Sequence, residues 1–257
     1  MLRSFQLLPS TFTLLIATII PMSSQSCHFT VVEATIPEMQ RAMERKQITS
    51  RELVQQYLDR IARYNETLNA VITVNPRALE EADARDRERA AGRVRGPLHG
   101  IPIAVKDNMQ TVDMPTTGGA LAFKGFVAPY EATLVRNLRD GGAVIIAKTN
   151  MTELANWVSN VMPANYNAIA GYGMNPYDPR PDPRSGMDDG RPALTTGGSS
   201  SGTGTAASLW AANVGTETSG SILSPANQTM LAAIKPTVGR ISRYGVIPIT
   251  ADQDTPG

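Results

Sequence analysis

Residues Gly100 to Asn108 read "GIPIAVKDN", five apolar residues running into Lys106, Asp107 and Asn108. A short apolar run closed by polar, turn-forming residues is the pattern of a strand buried on both faces. The stretch "YEATLVRNLRDGG" that follows from Tyr130 has helical character, and "GAVIIAKTN", Gly142 to Asn150, is a second apolar run closed the same way. Apolar runs alternating with helices predict an α/β layered domain, a mixed, largely parallel β-sheet core covered by helices. In such sheets functional sites gather where strands end and loops begin.

Working outward toward the amino terminus, "TIPEMQRAMERK" from Thr35 carries a Thr-x-x-Glu capping box with Pro37 in the first turn, which predicts a short helix. A second box, Thr49 to Glu52, opens a helix in which Leu53, Tyr57, Leu58, Ile61 and Tyr64 recur at helical spacing, the signature of an amphipathic face laid on a core. "AVITV", Ala70 to Val74, reads as a strand, and "RALEEADARDRERAAG" as a charged helix with a solvated face. At the start of the chain, "FTLLIATII" (Phe12 to Ile20) is shorter than the roughly 20 residues of a spanning helix and precedes the small-residue stretch "PMSSQS". Residues 1–26 are therefore expected to be a signal peptide, with an uncleaved anchor as the alternative, and the protein to be secreted or periplasmic.

Composition excludes several classes of function. The chain has 257 residues, 42% of them hydrophobic and 18% charged, with a formal net charge of +1. It can bury a substantial core, and it lacks the basic excess expected for a nucleic-acid or acidic-lipid partner. Cys27 is the single cysteine and the two histidines are His28 and His99, so neither a disulfide within the chain nor a Cys- or His-rich metal site is expected.

Toward the carboxyl terminus, "GYGMNPYDPRPDPRSGMDDGRP", Gly171 to Pro192, reads as an irregular surface loop leading to "TTGGSSSGTGT", Thr195 to Thr205. The segment "TAASLWAA" follows at once and predicts a short packed helix, so the serine run is placed at a helix amino terminus, where free N–H groups favour an anion or a polarised oxygen. A second Gly/Ser loop follows, "GTETSGSILSP", Gly215 to Pro225. "GSSSG" matches the Gly-x-Ser-x-Gly elbow in form, but both histidines precede it, the reverse of the order such hydrolases use. No Ser-x-x-Lys occurs, and no Gly-Lys-Ser/Thr follows to make a phosphate-binding loop. A serine nucleophile without histidine needs another base. A lysine made neutral by burial can serve, and Lys106, directly after an apolar strand, is the candidate.

Together, "GIPIAVKDN", "GGSSSGTGTAAS", "GTETSGSILSPANQ" and "IKPTVGRISRYGVIPITADQDTPG" resemble the amidase signature family from about Thr35 to the last residue. The resemblance implies the amidase signature fold and a hydrolase that cleaves carboxamide C–N bonds through a Ser-Ser-Lys triad and an acyl-enzyme, with no cofactor and no metal. It implies Ser221 as nucleophile, Ser199 as a bridging serine in a cis-peptide linkage, Lys106 as base, and an oxyanion hole on the N–H groups of Thr218, Ser219 and Gly220. Ser200 is expected either to orient Lys106 through a hydrogen bond or to cap the loop; Ser201 receives no role. The substrate implied is a small-molecule or peptide amide, and no stable membrane partner is expected. Three departures from the family pattern stand out: a shorter interval from Ser199 to Ser221, Leu223 where many relatives carry arginine, and bulky residues in "TMLAAIKPT". The first implies a trimmed helix and the second points to the peptide-amidase-like branch. Members of the family are usually much longer, so residues 27–257 are expected to be the amino-terminal portion of an amidase domain truncated at its C-terminus. The alternatives are a truncated non-catalytic remnant and an amidotransferase A-type subunit.

Overall fold

The computed structural model describes residues 29–159 and 161–257; the expected signal peptide, Cys27 and His28 lie outside them. Helices α1 (Ile36–Glu44) and α2 (Ser50–Leu68) begin at the two capping boxes, where Thr35 and Thr49 each accept the N–H of the glutamate three residues on and donate their own N–H to its carboxylate. The boxes satisfy donors that the first helical turn would leave unpaired. In α2, Leu53, Tyr57 and Ile61 are buried as their spacing requires. Tyr64 departs from the expectation: at the far end of the helix it is exposed, with the guanidinium groups of Arg60 and Arg63 over its ring.

Four strands form the main sheet: β1 (Val71–Val74), β2 (Pro102–Lys106), β3 (Val144–Thr149) and β6 (Ala212–Val214), in the order β1-β3-β2-β6. The strand β2 runs parallel to both β3 and β6, while β1 joins the edge antiparallel. The sheet is thus mixed and largely parallel, and every residue of β2 and β3 is buried. Helices α1, α2 and α3 (Ala78–Ala90) supply one apolar layer, where Leu53, Tyr57 and Ile61 join a cluster with Ala104, Ala147 and Trp210. The opposite layer is smaller and joins Val105, Met109 and Ile145 to Val135 of α4 (Thr133–Asp140). The loop expected from Gly171 starts as a strand, β5 (Gly171–Tyr172), paired with β4 (Tyr166–Asn167), before it turns irregular.

The segment after the serine run corrects the sequence reading. The expected helix over "TAASLWAA" is a single turn, α5 (Thr203–Ala206), after which the chain drops Leu209 and Trp210 into the core and enters β6. The indole is packed against the backbone of Gly204, where a Cβ would lie 2.1 Å from the Trp210 ring. Gly204→Ala should therefore overpack this contact and cost about 1–3 kcal/mol, measured as a lower midpoint of chemical denaturation; an unchanged midpoint would show that the ring has room to retreat.

Candidate active site

At the carboxyl end of β2, Lys106 is fully buried. Its Nζ lies 2.8 Å from Ser199 Oγ, 2.9 Å from Thr216 Oγ1 and 3.4 Å from the Thr216 carbonyl oxygen. Among the described residues, the lysines that face a carboxylate at ion-pair distance are Lys148 and Lys235. Lys106 is surrounded by neutral oxygens instead. Burial pushes its ammonium down to about 7, against the weaker upward pull of Asp254 and Glu217.

Lys148 stands one residue before the end of β3, in a run as apolar as the one that leads to Lys106, yet its surroundings are different. The register pairs Val105 with Lys148 and Lys106 with Thr149. Paired neighbours project to the same face of a sheet, so the two lysines leave it on opposite sides. On its own side Lys148 Nζ stands 3.2 Å from Asp107 Oδ1 and donates to the Pro115 carbonyl and to Thr116 Oγ1. Burial pushes its ammonium down while Asp107 pulls it up, and the pair with Asp107 makes it a structural lysine.

The Gly198–Ser199 peptide is cis. Ser199 meets Lys106 as the resemblance implied, but Ser200 does not. The Ser200 hydroxyl donates to the Thr216 carbonyl at 3.0 Å and accepts the Thr216 N–H at 3.1 Å, clamping that residue from both sides. The group beside Lys106 is the Thr216 hydroxyl, which also accepts from Asn108 Nδ2 at 3.0 Å. The expected Ser200–Lys106 bond is thus replaced by a two-step arrangement through Thr216, a residue the sequence reading passed over. Its only sequence signal is its place in "GTET", just before the turn leading to Ser221.

That turn follows β7 (Thr216–Glu217), which pairs antiparallel with β8 (Thr255–Pro256). Ser221 is tied back to the serine run by the Ser200 N–H, which donates to the Ser221 carbonyl at 3.0 Å. Among the described residues, no hydrogen bond joins the hydroxyls of Ser199 and Ser221, but both line one cavity of about 520 Å³ with Thr218 and Ser219. A second cavity, of about 420 Å³ and more apolar, also reaches Ser221 and is walled by Val246, Ile247 and Ile249. Within the turn, Gly220 adopts φ +101°, open to glycine and strained for other residues. The N–H groups of Thr218 and Ser219 donate to no acceptor among the described residues. Glu217 is buried, and its carboxylate accepts the N–H groups of Ile222 and Leu223 at 2.7 and 2.8 Å. Burial pushes that carboxyl up, but the N–H groups of Leu223, Ile222 and Gly220, with Lys235, outweigh it and hold it below its ordinary value.

No group of three or more His, Cys, Asp or Glu side chains suited to a metal ion occurs among the described residues. No helix of the described residues is long and apolar enough to cross a membrane.

Comparison with known proteins matches the family model described as Amidase to residues 52–257. A probable amidase of Arabidopsis thaliana is 41% identical over 90% of this chain and 44% of its own length. The A-type glutamyl-tRNA(Gln) amidotransferase subunit of Azoarcus sp. is 40% identical over 88% of this chain and 43% of its own. Among solved structures, the peptide amidase PAM in complex with the competitive inhibitor chymostatin superposes with a TM-score of 0.82 at 44% identity, covering 89% of this chain and 45% of that one. The chain spans less than half the length of the curated relatives it matches.

The cost of burying Lys106 has a defined pH dependence. Its folded value of about 7 lies below the ordinary 10.5, so between those values the unfolded chain binds the extra proton and stability rises with pH. Below about 7 both states are protonated and the full penalty applies. Lys106→Met should therefore stabilise the protein, on the order of a few kcal/mol, at and below neutral pH, with the gain shrinking toward pH 10. Denaturation of both proteins across that range measures it; a pH-independent difference would mean that Lys106 keeps its proton when folded.

Proposed function

The chain belongs to the amidase family, and from that premise we propose that it cleaves a small-molecule or peptide carboxamide through a Ser221–Ser199–Lys106 relay. The observation that carries this reading is Lys106 itself, buried beside Ser199 Oγ at 2.8 Å with no carboxylate paired to it among the described residues. A neutral amine has a lone pair with which to accept a hydroxyl proton, and an ammonium has none.

In the relay, Lys106 accepts the proton of Ser199 while Ser199 accepts that of Ser221, and the Ser221 oxygen forms a bond to the amide carbonyl carbon. The carbonyl π electrons move onto oxygen, which the free N–H groups of Thr218 and Ser219 stabilise, while the Gly220 N–H expected as a third donor is turned to Glu217; one such donor is commonly worth about 3 kcal/mol of barrier. Collapse breaks the C–N bond, and the proton held by Lys106 returns through Ser199 to the leaving nitrogen. Water then attacks the acyl-enzyme with the same residues as base, regenerating Ser221. The shared cavity of Ser199 and Ser221 supports this order of transfer, because the leaving nitrogen and the proton bridge then occupy one space. Thr216, clamped by Ser200, aligns the amine. No step calls for a metal or cofactor.

An amidotransferase A-type subunit is the runner-up, supported by the amidotransferase relative. The two readings share the site and differ in the fate of the nitrogen: free ammonia released from a peptide amide by the chain alone supports the hydrolase. Export remains part of the proposal, on the strength of the Phe12 to Ile20 stretch, and recovery of the mature protein outside the cytoplasm would test it.

A fluorophosphonate probe should label Ser221, and Ser221→Ala should abolish both labelling and amide turnover; labelling that persists in that variant would sink the assignment. The rate of labelling should fall about tenfold per pH unit below the Lys106 value of about 7. A rate flat down to pH 5 would remove Lys106 as the base.

A further inference from the structure

Lys235 lies in "TMLAAIKPT", a segment that takes no part in the relay. Its side chain is 26% exposed, and its ammonium donates to the Thr218 carbonyl oxygen at 2.7 Å while standing 3.7 Å from Glu217 Oε1. The Thr218 hydroxyl is held in turn by Asp254, which also accepts the N–H groups of Ile249 and Thr250. The turn from Thr218 to Ser221 is therefore anchored at both ends. Lys235 and Asp254 hold its first residue, and Glu217 holds the two N–H groups that follow Ser221.

The anchor on Thr218 has a stereochemical consequence. A trans peptide is planar, so the Thr218 carbonyl and the Ser219 N–H point in opposite directions. Fixing the carbonyl on Lys235 turns the Ser219 N–H away from Lys235, and Ser219 lines the cavity in which Ser199 and Ser221 meet.

We infer that Lys235 is a positioning residue for this site: through the Thr218 carbonyl it sets the plane of the Thr218–Ser219 peptide and aims the Ser219 N–H at the developing oxyanion. Glu217 keeps the ammonium in place and secures the other end of the turn. The inference rests on the reading of Ser221 as nucleophile. A donor whose orientation is fixed beforehand acts on the charge that forms in the transition state, so its loss slows bond formation and leaves ground-state binding nearly unchanged.

The test is the kinetics of fluorophosphonate labelling of the 257-residue chain, resolved into the maximal rate and the half-saturating probe concentration. Lys235→Met, which keeps the stem and removes the donor, should lower the maximal rate about 10- to 100-fold. Its half-saturating concentration should stay near that of the unmodified chain. Lys235→Arg, which can donate to the same carbonyl, should recover most of the rate. Should Lys235→Met fail to fold, Lys235→Gln, too short to reach the carbonyl, is expected to show the same loss. A Met or Gln variant labelled at the rate of the unmodified chain overturns the inference and leaves the Ser221 reading intact. Failure of the unmodified chain to label at Ser221 overturns the reading, and the inference falls with it.

Discussion

The structure turns on a buried amine that has hydroxyls rather than a carboxylate for company. Placing Lys106 out of water costs free energy that a counter-ion would ordinarily offset. Here the surroundings are Ser199 and Thr216, which offer hydrogen bonds to a neutral amine and little compensation to an ammonium. The buried parallel strand β2 delivers the lysine, and the two Gly/Ser loops close over it from across the sheet. What this arrangement loses in stability it gains as an amine whose proton affinity is brought near neutrality.

Around that amine, polar contacts separate those that touch it from those that hold the contacts still. Ser200 binds both backbone groups of Thr216, Asn108 binds the Thr216 hydroxyl, and Glu217, Lys235 and Asp254 grip the turn that carries Ser221. The pairing of β7 with β8 places Thr216 and Glu217 opposite Pro256 and Thr255, next to Asp254. The Lys148–Asp107 pair lies on the other face of the sheet, where it knits β3 to the loop following β2. Two buried lysines on neighbouring strands thus have opposite surroundings: among the described residues Lys148 is paired with a carboxylate and Lys106 is not.

Much of the fold is legible in the sequence because its signals are local. The capping boxes at Thr35 and Thr49 need residues three apart, and the strands at Pro102–Lys106 and Val144–Thr149 need only an unbroken apolar run. The one-turn α5 was not legible, since Leu209 and Trp210 suit a helix as well as they suit the core they fill. The part of Thr216 was hidden for a different reason. Its contact with Lys106 joins residues 110 positions apart, and nothing near either one announces the other.

By itself the sequence determined the layered α/β class, the strand that buries Lys106 and the two Gly/Ser loops, because hydrophobic periodicity and turn chemistry act over a few residues. It did not determine which of the two lysines after an apolar run lacks a carboxylate partner among the described residues. "IAVKDN" and "IIAKTN" are alike as patterns, an apolar run followed by lysine and polar residues. Only the tertiary structure decided between them: the register sends Lys148 to the face where Asp107 waits and Lys106 to the face closed by Ser199 and Thr216. Whether a buried amine keeps its proton depends on the groups folded against it, and those come from distant parts of the chain.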